Sequence, residues 1–287
     1  MNDVKDESQP FARRHARATD VGVRHQLYYT EVDVRCISSP PGTMPLARAK
    51  PVACALVLLA CHSAVAQRGR VSEHSIASKT LQHDRRVWVY TPANYPASCR
   101  PVCDFLLAFD GADYQADIPL PAMLDSLIGA HRIRPVVAVL VDNGESSARL
   151  SDLANSKRFI DFLGDELVPW ARARWTISRD PAHATVTGSS AGGLAALHLA
   201  FARPELFGNV LAQSAALWRG NEASNDPPYE WLTQQYAAAA RKPLRIFMDV
   251  GALETRGALG GAAPSILEAN RRLRDVLIAK GYDLQYT

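Results

Sequence analysis

Apolar positions in this chain follow two rhythms that take turns. Val71 to Ser78 and Arg86 to Tyr90 alternate with period two, most clearly at Val87-Trp88-Val89-Tyr90, and Leu81-Gln82-His83-Asp84 separates them, so an antiparallel hairpin is predicted. Thr91-Pro92-Ala93-Asn94-Tyr95-Pro96 ends it, because two prolines cannot serve a central ladder. Val102 to Phe109 and Pro135 to Val141 are nearly unbroken apolar runs, the pattern of strands buried on both faces. Leu120 to Ile128 fits a helix between them. Phe159, Phe162, Leu163, Leu167 and Trp170 then fall on one face of a longer amphipathic helix. A strand from Ala184, a helix from Ala191, a strand over Asn209 to Gln213 and a helix near Tyr229 to Ala240 follow. Leu244 to Val250 reads as another strand, and Ile266, Asn270, Leu273 and Leu277 mark a helix that runs to Gly281, with Pro264 in its first turn. Asp283 to Thr287 is the last predicted strand. Strands alternating with helices in this way predict a doubly wound, mostly parallel sheet preceded by the hairpin.

The chemistry concentrates where the strand from Ala184 meets the helix from Ala191. Gly188-Ser189-Ser190-Ala191-Gly192 is a Gly-x-Ser-x-Gly sequence with a strand before it and a helix directly after, the setting in which a serine is thrown onto a sharp, exposed turn. Ser190 is therefore the candidate nucleophile, and the helix start at Ala191 aims N–H groups and a positive dipole end at the space above it. A doubly wound sheet with such an elbow at its centre is an α/β-hydrolase fold.

Composition narrows the alternatives. With 287 residues, 47% of them hydrophobic and 21% charged, the chain is globular and long enough for one large α/β domain. Residues 67–287 hold 24 Lys/Arg against 23 Asp/Glu, which leaves no broad basic surface for nucleic acid. The sequence carries no internal repeat, P-loop, dinucleotide fingerprint or zinc spacing, so neither a metal nor a cofactor is expected.

Residues 1–43 are polar and without sustained periodicity, and are expected to be disordered or an upstream extension. Met44 opens a stretch with Arg48 and Lys50, an apolar run from Val52 to Ala60, and Ala64-Val65-Ala66 before Gln67, the layout of a secretory signal. The run is too short to span a bilayer. Leu58-Leu59-Ala60-Cys61 also has the form of a lipoprotein box, which would make Cys61 a lipid anchor. Either reading sends the domain at 67–287 to the periplasm or outside the cell. Cys99 and Cys103, the two cysteines left in that domain, suit a local disulfide or two free thiols equally well.

From about Arg85 to Thr287 the sequence resembles a family of esterases that includes the enterochelin (ferric-siderophore) esterases and esterase D, with feruloyl esterases and mycolyltransferases. The resemblance rests on several motifs in one order: Val87-Trp88-Val89-Tyr90-Thr91-Pro92, Phe109-Asp110-Gly111, Val137 to Asp142, Asp165-Glu166-Leu167-Val168-Pro169, Gly188 to Gly193, Pro204 to Gly208, and Gly251-Ala252-Leu253-Glu254. It implies Ser190 as nucleophile, the backbone N–H groups of Ala112 and Ala191 as the oxyanion hole, and Glu254 as the acid that orients a histidine. Asp249, inside a strand, is the rival acid. Asp110, Gly111, Arg149, Trp218 and Arg219 are the expected substrate contacts, the two arginines suited to an anionic catecholate or else to solvent.

One family feature is missing. A catalytic histidine is expected in a loop after the last strand, and the sequence ends at Thr287. His15, His25 and His62 precede the domain, His74 and His83 fall in the hairpin, and His131 and His183 precede strands at the opposite sheet edge. His198 lies two helical turns beyond Ser190. The chain is thus expected to stop short of its histidine loop. The resulting expectation is a serine carboxylic-ester hydrolase with an acyl-serine intermediate, acting on a small ester such as a ferric catecholate siderophore. An acetyl or feruloyl polysaccharide esterase, and an inactive protein of the same fold, are the alternatives.

Overall fold

Val136–Val141 is an interior strand of the sheet: six residues, all β-branched, Ala or Leu, and all buried. The computed structural model describes residues 68–144, 146–222 and 226–287. The expectations for 1–43, for the signal at 44–66 and for Cys61 lie outside these residues. In chain order the strands are β1 (Arg70–Ala77), β2 (Asp84–Thr91), β3 (Asp104–Ala108), β4 (Val136–Val141), β5 (Ala184–Ser189), β6 (Asn209–Gln213), β7 (Arg245–Asp249) and β8 (Asp283–Tyr286). The helices are α1 (Asp113–Ala116), α2 (Leu120–Gly129), α3 (Ser146–Leu153), α4 (Lys157–Asp161), α5 (Val168–Arg174), α6 (Ala191–Ala202), α7 (Trp231–Ala238) and α8 (Ile266–Ala279). One sheet holds all eight strands in the order β1-β2-β4-β3-β5-β6-β7-β8. β1 pairs antiparallel with β2, and β2 antiparallel with β4, while every later neighbour is parallel. This is the α/β-hydrolase fold with its N-terminal antiparallel hairpin.

The order of strands decides where the helices go. From β5 through β8 the chain steps one strand at a time in one direction, and right-handed crossovers put α6, α7 and α8 on a single face. The step from β3 to β4 runs the other way, which brings α2 to the opposite face, over Ala108, Val136, Ala138 and Leu140. The first face carries the large core, with Val186, Val210, Ala212, Ile246 and Met248 pointing into it. The alternate residues of the same strands, Thr185, Leu211, Phe247 and Gln285, are half-buried or exposed on the second face. Shallow grooves lie there and along the N-terminal strand ends.

Several local outcomes differ from the sequence reading. The helix read through Phe159 and Trp170 is three pieces, because a π-helical turn over Phe162–Leu167 separates α4 from α5. Pro169, in the first turn of α5, has no N–H to give a ladder. Pro264 does not start α8; it precedes the N-cap Ser265, whose hydroxyl accepts from Glu268 N–H while the Glu268 carboxylate accepts from Ser265 N–H. α1 and α3 have no counterpart in the reading. Cys99 and Cys103, left open by their spacing, form a disulfide.

Candidate active site

A single residue, Ser190, separates β5 from α6. Its backbone stands at φ 55°, ψ −117°, a conformation that costs an L-residue on the order of 1–3 kcal/mol and survives only where its surroundings force it. The surroundings do. Ser190 N–H donates to Gln213 O at 2.9 Å, and Ser190 O accepts from Ala216 N–H at 2.9 Å and Leu194 N–H at 3.1 Å. A Cβ on Gly188 would stand 2.5 Å from the carbonyl carbon of Gly192, and a Cβ on Gly193 would stand 3.1 Å from Gly188 O and Gln213 O. The turn closes only on hydrogens at these positions. No side chain caps α6, so the first-turn N–H groups, Ala191 leading, are left for an anion or water.

β3 lies beside β5, and its chain leaves at the same C-terminal edge. There Asp110 takes φ 55°. Its N–H donates to Asn143 Oδ1 at 3.0 Å, and its two carboxylate oxygens accept from Arg149 Nε and Nη2 at 2.6 and 2.7 Å. Gly111 N–H donates to Val141 O at 2.7 Å. A Cβ on Gly111 would meet the Leu140 backbone at 2.8 Å. Asp110 and Gly111, expected to touch substrate, thus bind Arg149 and the end of β4. Ala112 is exposed, and its N–H has no partner among the described residues.

The loop after β7 also opens at this edge. Glu254 Oε2 accepts from Ser214 Oγ at 2.7 Å and from Gly251 N–H at 3.1 Å. Ser214 follows β6 directly and donates its own N–H to Asp249 O at 2.9 Å. Burial, chiefly, raises the Asp249 carboxyl above the usual range, with the Glu254 charge adding to it against hydrogen bonds from Gln213 and Ser214. Asp249 and Glu254 thus occupy neighbouring positions, the first inside a strand and the second in the loop above it.

Trp218 is buried, and the Arg219 guanidinium lies over its ring at 4.6 Å. Burial, then the positive charge of Arg149, holds Arg219 below the ordinary arginine value. Arg149 is affected the other way: burial opposes its charge, and the hydrogen bonds and charge of Asp110 outweigh burial. Neither arginine is a freely solvated surface group. Five histidines lie among the described residues, and none is hydrogen-bonded to Ser190. His74 packs on Trp170 and Trp175, His83 bonds the Asp84 carbonyl, His131 is exposed, and His183 sits beside Asp104 and Arg134. His198 is buried edge-on to Trp231, and burial lowers its pKa to about 4. Among the described residues no group of three His, Cys, Asp or Glu side chains could hold a metal, and no helix is long and apolar enough to cross a membrane.

Sequence reasoning missed Asn143 as part of this site, and gave Ser214 only as the start of a loop to Trp218, not as the donor to Glu254. Asp142-Asn143-Gly144 carries the signature of a solvated turn, and nothing local says that its middle side chain is buried.

The family described as "Putative esterase" matches residues 78–286. The chain belongs to this esterase family. It is 29% identical over 218 residues to an iron(III) enterobactin esterase of Dickeya dadantii, covering 72% of this chain and 47% of that protein. Against the iron(III) enterobactin esterase of Escherichia coli K12 it is 29% identical over 196 residues, 68% of this chain and 46% of that one. The chain therefore spans about half the length of the curated relatives it matches. Among solved structures, the enterobactin esterase from Shigella flexneri in the presence of enterobactin superposes with a TM-score of 0.64 at 26% identity, covering 76% of this chain and 53% of that one. A ferulic acid esterase at 15% identity, with a TM-score of 0.61, shares the fold.

Proposed function

We propose that this member of the esterase family is a serine carboxylic-ester hydrolase that works through an acyl-Ser190 intermediate. The observation that carries the reading is the strained Ser190 between β5 and α6, at the same sheet edge as the Glu254 carboxylate. Ser190 Oγ attacks the ester carbonyl, and the backbone N–H groups of Ala112 and Ala191 receive the oxyanion. The alcohol leaves, and water then releases the acid.

The reaction needs a base to take the Ser190 proton. We propose that a histidine oriented by the Glu254 carboxylate takes it. Thr287 leaves β8 at the C-terminal edge, where its carbonyl accepts from Val250 N–H at 3.2 Å, beside the Glu254 loop that would orient such a ring. The proposed substrate is a catecholate siderophore ester, carrying its ferric ion as cargo. Support comes from the enterobactin esterases among the relatives and from Arg219 over the Trp218 ring, a cation and an aromatic face that suit an anionic aromatic ligand. Met44 to Ala66 is proposed as an export signal, with Cys61 as the alternative lipid attachment. The Cys99–Cys103 disulfide supports an oxidising compartment.

The test uses the protein beside its Ser190→Ala variant. Substrates are an aryl acetate, ferric enterobactin and a feruloylated polysaccharide. The reading expects turnover of the aryl and catecholate esters, lost in Ser190→Ala, and an acyl mass on the Ser190 peptide with a slow ester. Hydrolysis that survives Ser190→Ala ends the mechanism, and preference for the feruloyl ester ends the substrate assignment.

A further inference from the structure

Two ion pairs, Arg85–Asp152 buried and Arg149–Asp110 part-buried, meet at one neutral amide beside the loop that carries Ala112. Asn143, 1% exposed, follows the end of β4. Its Oδ1 accepts from Asp110 N–H at 3.0 Å, and its Nδ2 donates to Asp152 Oδ2 at 3.4 Å. Asp152 pairs with Arg85 at 2.8 Å, both residues nearly inaccessible, and Arg85 Nη1 donates to Asp142 O at 2.7 Å. On the other side Asp110 holds Arg149. The reaction proposed above uses none of Arg85, Asp152 and Asn143.

Asp110 is the residue on which the loop turns. At φ 55° it occupies the left-handed region, which its Cβ disfavours. Any relaxation about this residue swings Gly111 and Ala112, and the Ala112 N–H has no partner among the described residues. Asn143 opposes that relaxation, because rotating Asp110 away would strand a buried N–H without an acceptor. An amide suits the place for a specific reason. It offers an acceptor to Asp110 and a donor to Asp152 in one uncharged group, whereas a carboxylate would set two negative charges face to face and an alanine would leave the Asp110 N–H without its acceptor and Asp152 with Arg85 alone.

We propose that Asn143 is the positioning residue of the oxyanion loop, holding Asp110 so that the Ala112 N–H is presented to the Ser190 site. The proposal rests on the reading of Ser190 and Ala112 given above. A donor displaced by about an ångström can cost on the order of 10²-fold in rate while substrate still binds. The expected signature is therefore in kcat and not in KM.

The experiment compares the active chain with Asn143→Ala, Asn143→Asp and the exchanged pair Asn143→Asp with Asp152→Asn. The readouts are kcat and KM on an aryl ester, and hydrogen exchange of the segment 110–113. Asn143→Ala should lower kcat roughly 10- to 100-fold with KM within about twofold, and should speed exchange in that segment. Asn143→Asp keeps an acceptor for Asp110 N–H but faces Asp152 with a second negative charge; the exchanged pair keeps the acceptor and restores an amide–carboxylate contact, so it should recover most of the kcat that Asn143→Asp alone loses. Unchanged exchange in Asn143→Ala, or faster exchange with kcat at the parent value, overturns the proposal. If Asn143→Ala does not fold, the other two variants decide: recovery by the exchanged pair upholds the proposal, and equal kcat in both overturns it. Ser190→Ala is assayed beside them. Activity that survives it removes the nucleophile assignment, while the exchange measurement still tests the hold of Asn143 on the loop.

Discussion

Ser214 Oγ donates to Glu254 Oε2 at 2.7 Å, so the residue that follows β6 fixes the carboxylate that rises from the loop after β7. The Gly251 N–H lands on the same oxygen. The carboxylate of the loop that Gly251 opens is thereby held by two donors on one oxygen. In the active chain, Glu254→Gln should lower kcat on the order of 10²- to 10⁴-fold, as expected for an acid that orients a histidine. Ser214→Ala should cost about 10-fold, the worth of one hydrogen bond to a charged group. Asp249→Asn should leave kcat within a few-fold. Steady-state kinetics on one aryl ester decides, and a collapse in Asp249→Asn with Glu254→Gln unaffected would reverse the two roles.

The strain at Ser190 should be measurable as stability. Glycine adopts φ 55° freely but loses more chain entropy on folding, roughly 0.4–1 kcal/mol, against roughly 1–3 kcal/mol of strain that alanine would keep. Ser190→Gly should therefore be more stable than Ser190→Ala by about 1 kcal/mol, both lacking the hydroxyl. Urea midpoints with equal slopes give the comparison; an equal or lower midpoint for Ser190→Gly would mean the turn stores no strain.

Gly188→Ala meets backbone, not a movable side chain, since its Cβ would lie 2.5 Å from Gly192 C. The start of α6 must shift for the methyl to fit. A loss of at least about 3 kcal/mol is expected, seen as a sharply lowered thermal midpoint or as aggregated protein. A soluble variant melting with the parent contradicts the geometry at the turn.

His198 sets a pH window. Its folded pKa of about 4 lies below the ordinary 6.5 because burial penalises the charged ring. As pH falls through 6.5 the unfolded chain takes up this proton first, so stability is lost between 6.5 and 4 and the loss is complete below 4. His198→Phe, which keeps a ring against Trp231, should remove on the order of 2–3 kcal/mol of that acid loss. Urea midpoints of both proteins at pH 7 and pH 4.5 test it, and identical acid slopes would refute it.

The centre of the fold was legible because its signals are local. β4 is one apolar run, and Gly188 to Gly193 holds its own turn. Ser265-Ile266-Leu267-Glu268 carries a capping box just as plainly, yet Pro264 drew the helix start toward itself. α3 was not legible, since Leu150 and Leu153 are too few apolar positions to set a period. The pairing of Arg149 with Asp110 spans 39 residues, and no pattern in the sequence links them. Nor could spacing foresee that Asp110 and Gly111 would anchor the loop from below while the Ala112 N–H has no partner among the described residues.

α6 is buried from Ala191 to Ala200, on every side, and its first residue adjoins Ser190. The serine is thus mounted on a core helix whose position is set by packing from Ala191 to Ala200. A substitution at Leu197 or Leu199 would tilt that mount without coming near a substrate. A genetic screen that scores only turnover would record such changes as active-site lesions, and only a parallel measure of protein abundance would sort the two apart.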